Sequence, residues 1–390
     1  MSQIEPLIKT FIEAFRIAVP EADIEDLHLR LRGARWPDQL PDTGWDYGAD
    51  YDYLKPLAQY WAGTYDWRVH EAKLNRFPGF LTEIDGQRIH FLHARSPHQD
   101  ALPLILTHGW PGSIAEFLQC IDPLVDPVSH GGDAADAFHV IVPSLPGYGW
   151  SGPTTEPGWN VRRTAAAWAE LMARLGYDRY GAQGGDWGSF VTRHLADLDS
   201  AHICGVHVNM MTSTPPGNDD DLADLTPREI AQLSRTQDYL KNGNGYVAIQ
   251  ATRPQTLAYG LNDSPIGLLS WIIEKFWAWS DHDGHPEDAI SRDELLTNLS
   301  IYWFTQTAGS SARMYYESIT SGAVSPPDVT KVPLGIGWYP DEIIMARKRW
   351  VEAANNLIYW HEAERGGHFA AMEEPAAFVD DVRAFFRLVR

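Results

Sequence analysis

An α/β fold with a mostly parallel central sheet, an inserted helical lid and an N-terminal extension is predicted by three observations. Between residues 81 and 211 short apolar runs take turns with helical patterns, the rhythm of strand-helix-strand crossovers and hence of parallel strands. From 212 to 328 that rhythm gives way to helical, aromatic-heavy segments, and it resumes over 329–390. The third observation is Gly184-Gly185-Asp186-Trp187-Gly188, which reads as a sharp strand-to-helix elbow whose small residues let neighbouring backbones pass closely.

The elements follow in chain order. Apolar positions over residues 1–20 are broken by Glu5, Lys9, Glu13 and Arg16, a pattern that predicts an amphipathic helix rather than a signal peptide or a membrane span. The remainder of 1–80 alternates helical pattern with aromatic turns such as Arg35-Trp36-Pro37 and Tyr65-Asp66-Trp67-Arg68, and reads as an extension wrapped on the core, ahead of any central strand. A hairpin turning at Asp85-Gly86 and ending in Ile89-His90-Phe91-Leu92 opens the sheet. Strands are expected at 104–106, at 140–142, on the approach to Asp186 and at 207–209, with a helix over 161–175. The insertion, 212–328, contains Leu268-Leu269-Ser270-Trp271-Ile272-Ile273-Glu274-Lys275-Phe276-Trp277, whose rings serve mainly as packing. Strands return near Val332 and Ile358, and a helix over 376–389 closes the chain.

Composition bounds the function. The chain has 390 residues, 44% of them hydrophobic, and so has ample material for a core. A formal charge of −21 argues against nucleic acid or an anionic membrane surface as a partner. Cys120 and Cys204 lie in apolar surroundings without ligand spacing, so free thiols and a cytoplasmic location are expected. There are no fixed-period repeats, and a homodimer is left open.

An aspartate at the elbow selects the chemistry. A carboxylate with a reference pKa of about 3.9 is ionised near neutrality and needs no base to attack. Attack on an acyl group would yield only an anhydride, whereas attack on a strained or leaving-group-bearing saturated carbon yields a stable alkyl ester, which points to epoxides or alkyl halides. Hydrolysing that ester requires an activated water and donors for an oxyanion. His368, in the glycine-opened loop Arg365-Gly366-Gly367-His368-Phe369, suits the base, and Glu342, or failing it Asp341, suits the acid that orients it. The order nucleophile, acid, histidine is that of the α/β-hydrolase fold. The segment Thr107-His108-Gly109-Trp110-Pro111-Gly112-Ser113 follows an apolar strand, so the backbone N–H groups of Trp110 and Trp187 are the expected oxyanion donors, with a cis peptide before Pro111 as an option.

Other motifs read as structure. The glycine-rich stretch 181–188 lacks the Lys-Ser/Thr ending of a phosphate loop and the spacing of a dinucleotide fingerprint. Asp281-His282-Asp283-Gly284-His285-Pro286-Glu287-Asp288 fits no metal-ligand spacing and reads as a solvated loop, as does the acidic run 219–221. No metal and no cofactor are expected.

These residues together resemble the microsomal-type epoxide hydrolases over nearly the whole chain. The likeness rests on Arg35-Trp36-Pro37, Leu74-Asn75-Arg76-Phe77-Pro78, His108-Gly109-Trp110-Pro111-Gly112-Ser113, the Asp186 elbow, Thr252-Arg253-Pro254, Asp263-Ser264-Pro265-Ile266-Gly267-Leu268 and Arg365-Gly366-Gly367-His368-Phe369-Ala370-Ala371. The resemblance implies two lid tyrosines that donate to the epoxide oxygen: Tyr246, in Gly245-Tyr246-Val247-Ala248-Ile249-Gln250, and Tyr315, with its neighbour Tyr316 as the alternative register. It also aligns the family acid on Glu342. The membrane anchor of some animal members is missing, which implies a soluble enzyme acting on a small apolar epoxide and water. Two rivals stand beside this reading. A haloalkane dehalogenase shares an elbow aspartate, and a catalytically silent member would only bind ligand. The lid tyrosines and the extension favour the epoxide.

Overall fold

The computed structural model describes residues 11–213, 222–325, 331–344 and 346–390. The acidic run 219–221 lies outside them. In chain order the first elements are β1 (Ile12–Phe15), α1 (Glu21–Arg32), α2 (Tyr51–Gly63), α3 (Trp67–Leu74), β2 (Gly79–Ile84), β3 (Gln87–Ala94), β4 (Leu102–Thr107) and α4 (Leu118–Val125). Then come β5 (Phe138–Pro143), α5 (Val161–Arg174), β6 (Tyr180–Gly184), α6 (Trp187–Leu198) and β7 (Ile203–Val208). Between β7 and the next strand lie α7 (Pro227–Asp238), α8 (Gly245–Gln250), α9 (Pro254–Asp263), α10 (Pro265–Trp279), α11 (Arg292–Thr305) and α12 (Ala308–Thr320). The chain ends with β8 (Leu334–Trp338), α13 (Lys348–Ala354), β9 (Leu357–Glu362), α14 (Ala370–Glu373) and α15 (Pro375–Phe386).

The strands form one sheet in the order β1-β2-β3-β5-β4-β6-β7-β8-β9, antiparallel from β1 to β5 and parallel from there on. This is the α/β-hydrolase arrangement. Its central strands are buried on both faces: Leu104, Ile105, Leu106, Val140, Ile141 and Val142 have no exposed surface, as parallel strands covered by helices require. The hairpin between β2 and β3 turns at Asp85 and Gly86, both at positive φ (51° and 72°), the conformation that a two-residue turn of this hand demands.

One expectation is corrected. Of residues 1–20, those from 12 to 15 form a strand rather than a helix, pairing Ile12 with Thr82 and Phe15 with Gly79. The extension therefore adds the first strand of the central sheet. Four residues cannot distinguish a helical from an extended period, and the open edge of β2 supplies backbone partners that a local pattern does not display.

Behind β1 the extension is tied down at several points. Ile17 N–H donates to Asn75 Oδ1 (2.9 Å), and the Asn75 amide donates back to Ile17 O (2.8 Å). The extension also grips the inserted helices: Trp61 Nε1 donates to Ser300 Oγ (3.0 Å) and Tyr60 Oη to Asp293 (2.9 Å), both on α11. That helix in turn reaches the loop after β4, where Asn298 donates to Pro111 O and Tyr302 to Gly112 O, each at 2.7 Å. Among the described residues no helix is long and apolar enough to cross a membrane. Cys120 and Cys204 carry free thiols.

Candidate active site

The site is built where β6 ends. Asp186 has φ 47° and ψ −125°, a backbone state that non-glycine residues rarely occupy and that costs of order 1–3 kcal/mol. The turn closes because Gly188 has no side chain: a Cβ there would stand 1.9 Å from Thr107 O. Asp186 so becomes the N-cap of α6, with its carboxylate near the positive end of that helix. Trp187 is the first helical residue.

The loop after β4 meets the carboxylate from the other side. Trp110 N–H donates to Asp186 Oδ1 at 2.7 Å, and the Trp110–Pro111 peptide is cis. Gly109 is required by contact, since a Cβ would fall 2.2 Å from Asp186 Oδ1. His108 supports the loop rather than the chemistry, with Nδ1 bonded to Gly109 O (2.9 Å) and Nε2 accepting from Leu145 N–H (3.1 Å). Burial pushes its pKa down to about 4, which keeps it neutral.

From the C-terminal third comes the imidazole. His368 N–H donates to Trp279 O (2.9 Å), and the Glu373 carboxylate accepts from the N–H groups of Asp281, Gly367 and Phe369 at 2.8, 2.9 and 2.8 Å. His368 lies between two acids, hydrogen-bonded to one and only facing the other. Nδ1 lies 2.9 and 3.1 Å from the two Glu342 oxygens, and Nε2 lies 3.4 Å from Asp186 Oδ2. Burial opposes charging this ring, but the negative charges of Glu342 and Asp186 outweigh it and hold the His368 pKa well above the ordinary imidazole value. Asp341 turns the other way and pairs with Arg235 on α7.

Two inserted helices place phenols over the carboxylate. The Tyr246 ring stacks on Trp110 (centroids 4.9 Å apart, planes 11°), while Tyr315 packs edge-on to Trp187 at 4.6 Å and to Tyr246 at 5.7 Å. Tyr315 is 3% exposed and Tyr316 41%, so the former faces the site. Burial, and next a neighbouring phenol, Tyr239 for Tyr246 and Tyr246 for Tyr315, raises the pKa of both well above the usual phenol value, so each carries its proton at neutral pH. The Asp186 side chain keeps 17% of its surface accessible inside this shell of buried rings, so space remains beside it.

Four residues here carry no sequence signal of their own. Tyr239 bonds Tyr246 through the hydroxyls (3.0 Å), Trp279 packs on both His368 (5.1 Å) and Tyr246 (5.4 Å), and Lys275 Nζ lies 4.8 Å from the Tyr246 ring centre. The fourth, Glu116, is disguised. Ser113-x-x-Glu116 has the spacing of a helix-capping box, yet the Glu116 carboxyl folds back under Gly112. Burial, with Asp186 adding to it against His368, pushes its pKa up to about 8. In the loop 281–288, the Asp281 carboxylate accepts from Gly366 N–H (2.9 Å), and no group of three or more potential metal-binding side chains occurs among the described residues.

Comparison with known proteins agrees with this architecture. Residues 12–117 match the family model described as epoxide hydrolase N terminus, and 103–283 match that of the alpha/beta hydrolase fold. A "Putative epoxide hydrolase" of Stigmatella aurantiaca is 50% identical over 380 residues, covering 97% of this chain and 86% of that protein. Epoxide hydrolase 1 of Sus scrofa is 37% identical, covering 97% and 89%. The crystal structure of juvenile hormone epoxide hydrolase from Bombyx mori superposes with a TM-score of 0.90 at 32% identity, covering 98% of this chain and 95% of that one.

Proposed function

The chain belongs to the epoxide hydrolase family of the α/β-hydrolase fold, and on that premise we propose that it opens epoxides to vicinal diols through a covalent ester on Asp186. The observation that carries this reading is the two-sided environment of one carboxylate. Oδ1 is bound by the Trp110 N–H, whereas Oδ2 is free of backbone donors and faces His368.

Oδ2 attacks a ring carbon, the C–O bond breaks, and the departing oxygen takes a proton from Tyr246 or Tyr315. Oδ1, already in the donor site of Trp110 and beside the start of α6, becomes the ester carbonyl oxygen and then the oxyanion. Forming the ester removes the charge of Asp186, one of the two anions that keep His368 protonated. The imidazole pKa therefore falls when a base is needed. The proton that His368 gives up balances the one lost by the phenol. His368, oriented by Glu342, next takes one proton from water as the hydroxide adds to the Asp186 carbonyl carbon; collapse expels the second diol oxygen, which takes the remaining water proton from the reformed Asp186 carboxyl, so Asp186 returns to its carboxylate and His368 keeps the proton of its resting form.

The inserted helices over 212–328 act as the lid that holds the ring near attack geometry. Trp110, Trp187, Trp279 and the two phenols surround the carboxylate with apolar surface, which supports a small apolar epoxide as substrate. Free thiols support a reducing compartment such as the cytoplasm.

The test is product analysis of the purified protein with styrene oxide and, separately, with 1-chlorohexane. Diol formation without chloride release is expected. Chloride release with no diol would assign the site to dehalogenation.

A further inference from the structure

Tyr246 has a hydroxyl with one proton and more than one potential partner. It can donate to Tyr239, 3.0 Å away, to its other phenolic neighbour Tyr315, or to an oxygen in the cavity, and only to one of them. If Tyr246 spends its proton on Tyr239, it presents only lone pairs to the substrate. The direction of this one hydrogen bond therefore decides whether Tyr246 can serve as a donor.

Tyr239 is held where it can be the donor. It opens a π-helical turn, Tyr239–Gly243, at the end of α7, a distortion of the kind that clusters at functional sites. The helix before it is fastened to the segment that carries Glu342: Trp338 Nε1 donates to Gln232 (2.6 Å), Arg235 pairs with Asp341, and Thr236 Oγ1 donates to Ile343 O (2.9 Å). The Tyr239 ring packs edge-on to Trp279 at 6.3 Å, the same indole that contacts His368.

We propose that Tyr239 is a positioning residue that donates its hydroxyl proton to the oxygen of Tyr246 and so leaves the Tyr246 proton directed at the epoxide oxygen. The proposal rests on the reading of Tyr246 as a donor in ring opening. It assigns the two phenols unequal parts, because the bond from Tyr239 supports Tyr246 and not Tyr315. When Tyr246 passes its proton to the opening ring, the phenolate oxygen keeps the hydrogen bond from Tyr239, and the Lys275 ammonium, itself paired with Glu274, faces the ring of that phenolate. No proton leaves Tyr239 itself. Its effect falls on formation of the Asp186 ester and not on its hydrolysis.

The experiment is a set of single-turnover measurements on the full chain with styrene oxide, following ester formation and ester hydrolysis separately by rapid quench and mass analysis. Tyr239→Phe deletes one oxygen and keeps the ring against Trp279; its folded state is checked by thermal melting. Ester formation should slow about threefold to tenfold, the worth of one neutral hydrogen bond, with epoxide affinity and the hydrolysis rate unchanged. In a Tyr246→Phe background the same change should cost nothing further, whereas in a Tyr315→Phe background the full penalty should remain. Equal slowing of both steps, or an undiminished penalty in the Tyr246→Phe background, would overturn the proposal and mark Tyr239 as a packing residue. A wild-type protein that turns over without any Asp186 ester would instead overturn the mechanism on which the proposal rests. Should Tyr239→Phe prove unstable, Tyr239→Met, which occupies the space beside Trp279 without a hydroxyl, provides the second arm: the same slowing confined to ester formation and absent in Tyr246→Phe is expected, and a slowing that persists in Tyr246→Phe would overturn the proposal.

Discussion

His368 Nε2 and Asp186 Oδ2 face each other at 3.4 Å, yet they are misaligned for a hydrogen bond. The imidazole is thus fixed by Glu342 on its far side rather than by Asp186. In the proposed mechanism this arrangement leaves the Asp186 carboxylate free to attack while His368 stays in place for the second step.

Removing the base should therefore separate the two steps. His368→Gln is expected to form the ester at an appreciable rate and to hydrolyse it about 10²–10⁴-fold more slowly. Intact-protein mass spectrometry after exposure to epoxide should show one added substrate mass, located on the peptide containing Asp186.

The phenols should act only on the first step. Tyr246→Phe and Tyr315→Phe are each expected to slow ester formation by roughly tenfold to a hundredfold, less than the loss of a sole oxyanion donor because two donors share the developing charge. Ester hydrolysis, measured in the same quench experiment, should be unchanged.

Stability should report the charge on His368. Its folded pKa lies above the unfolded value near 6.5, so its charged form contributes stability that is complete below about pH 6.5 and is lost as pH rises through the folded value. Glu342→Gln removes an adjacent anion and should flatten the alkaline side of the melting-temperature profile.

A buried acid elsewhere behaves in the opposite sense. Asp381 on α15 meets His207 (2.9 Å), His361 (2.9 Å) and Tyr359 (2.7 Å) beneath β7 and β9. Burial alone would raise its pKa, but the charge of His207 and these hydrogen bonds hold it well below the carboxylate range. Its contribution is therefore present above about pH 3.9 and fades as pH falls through the folded value. Asp381→Asn should cost about 3 kcal/mol by urea unfolding, as removal of one partner from a buried pair does, without altering turnover in the folded protein.

How much of this was readable in the sequence depends on the range of the forces involved. The hairpin at Asp85-Gly86, the β4 to β7 rhythm and the elbow at Asp186 are local signals, written in turn chemistry and apolar period. β1 is not readable from a local pattern, because its hydrogen-bonding partner is distant in sequence: Ile12 pairs with Thr82 at the sheet edge. For the pair Asp341 and Glu342 the sequence prefers Glu342 through the family resemblance, while local pattern alone keeps Asp341 as the fallback; in the structure one meets Arg235 on α7 and the other His368. Tyr315 and Tyr316 differ by one helical position, which decides between the site and the surface. Tyr239 is one of 16 tyrosines, and its role depends on a hydroxyl contact that composition cannot encode.

The most direct measurement is a single turnover in oxygen-18 water with enzyme in excess over epoxide. The account predicts that the diol released contains no label and that one labelled oxygen appears in the Asp186 carboxylate. Label in that first diol, with Asp186 unlabelled, would mean that water attacks the ring directly and that no ester forms.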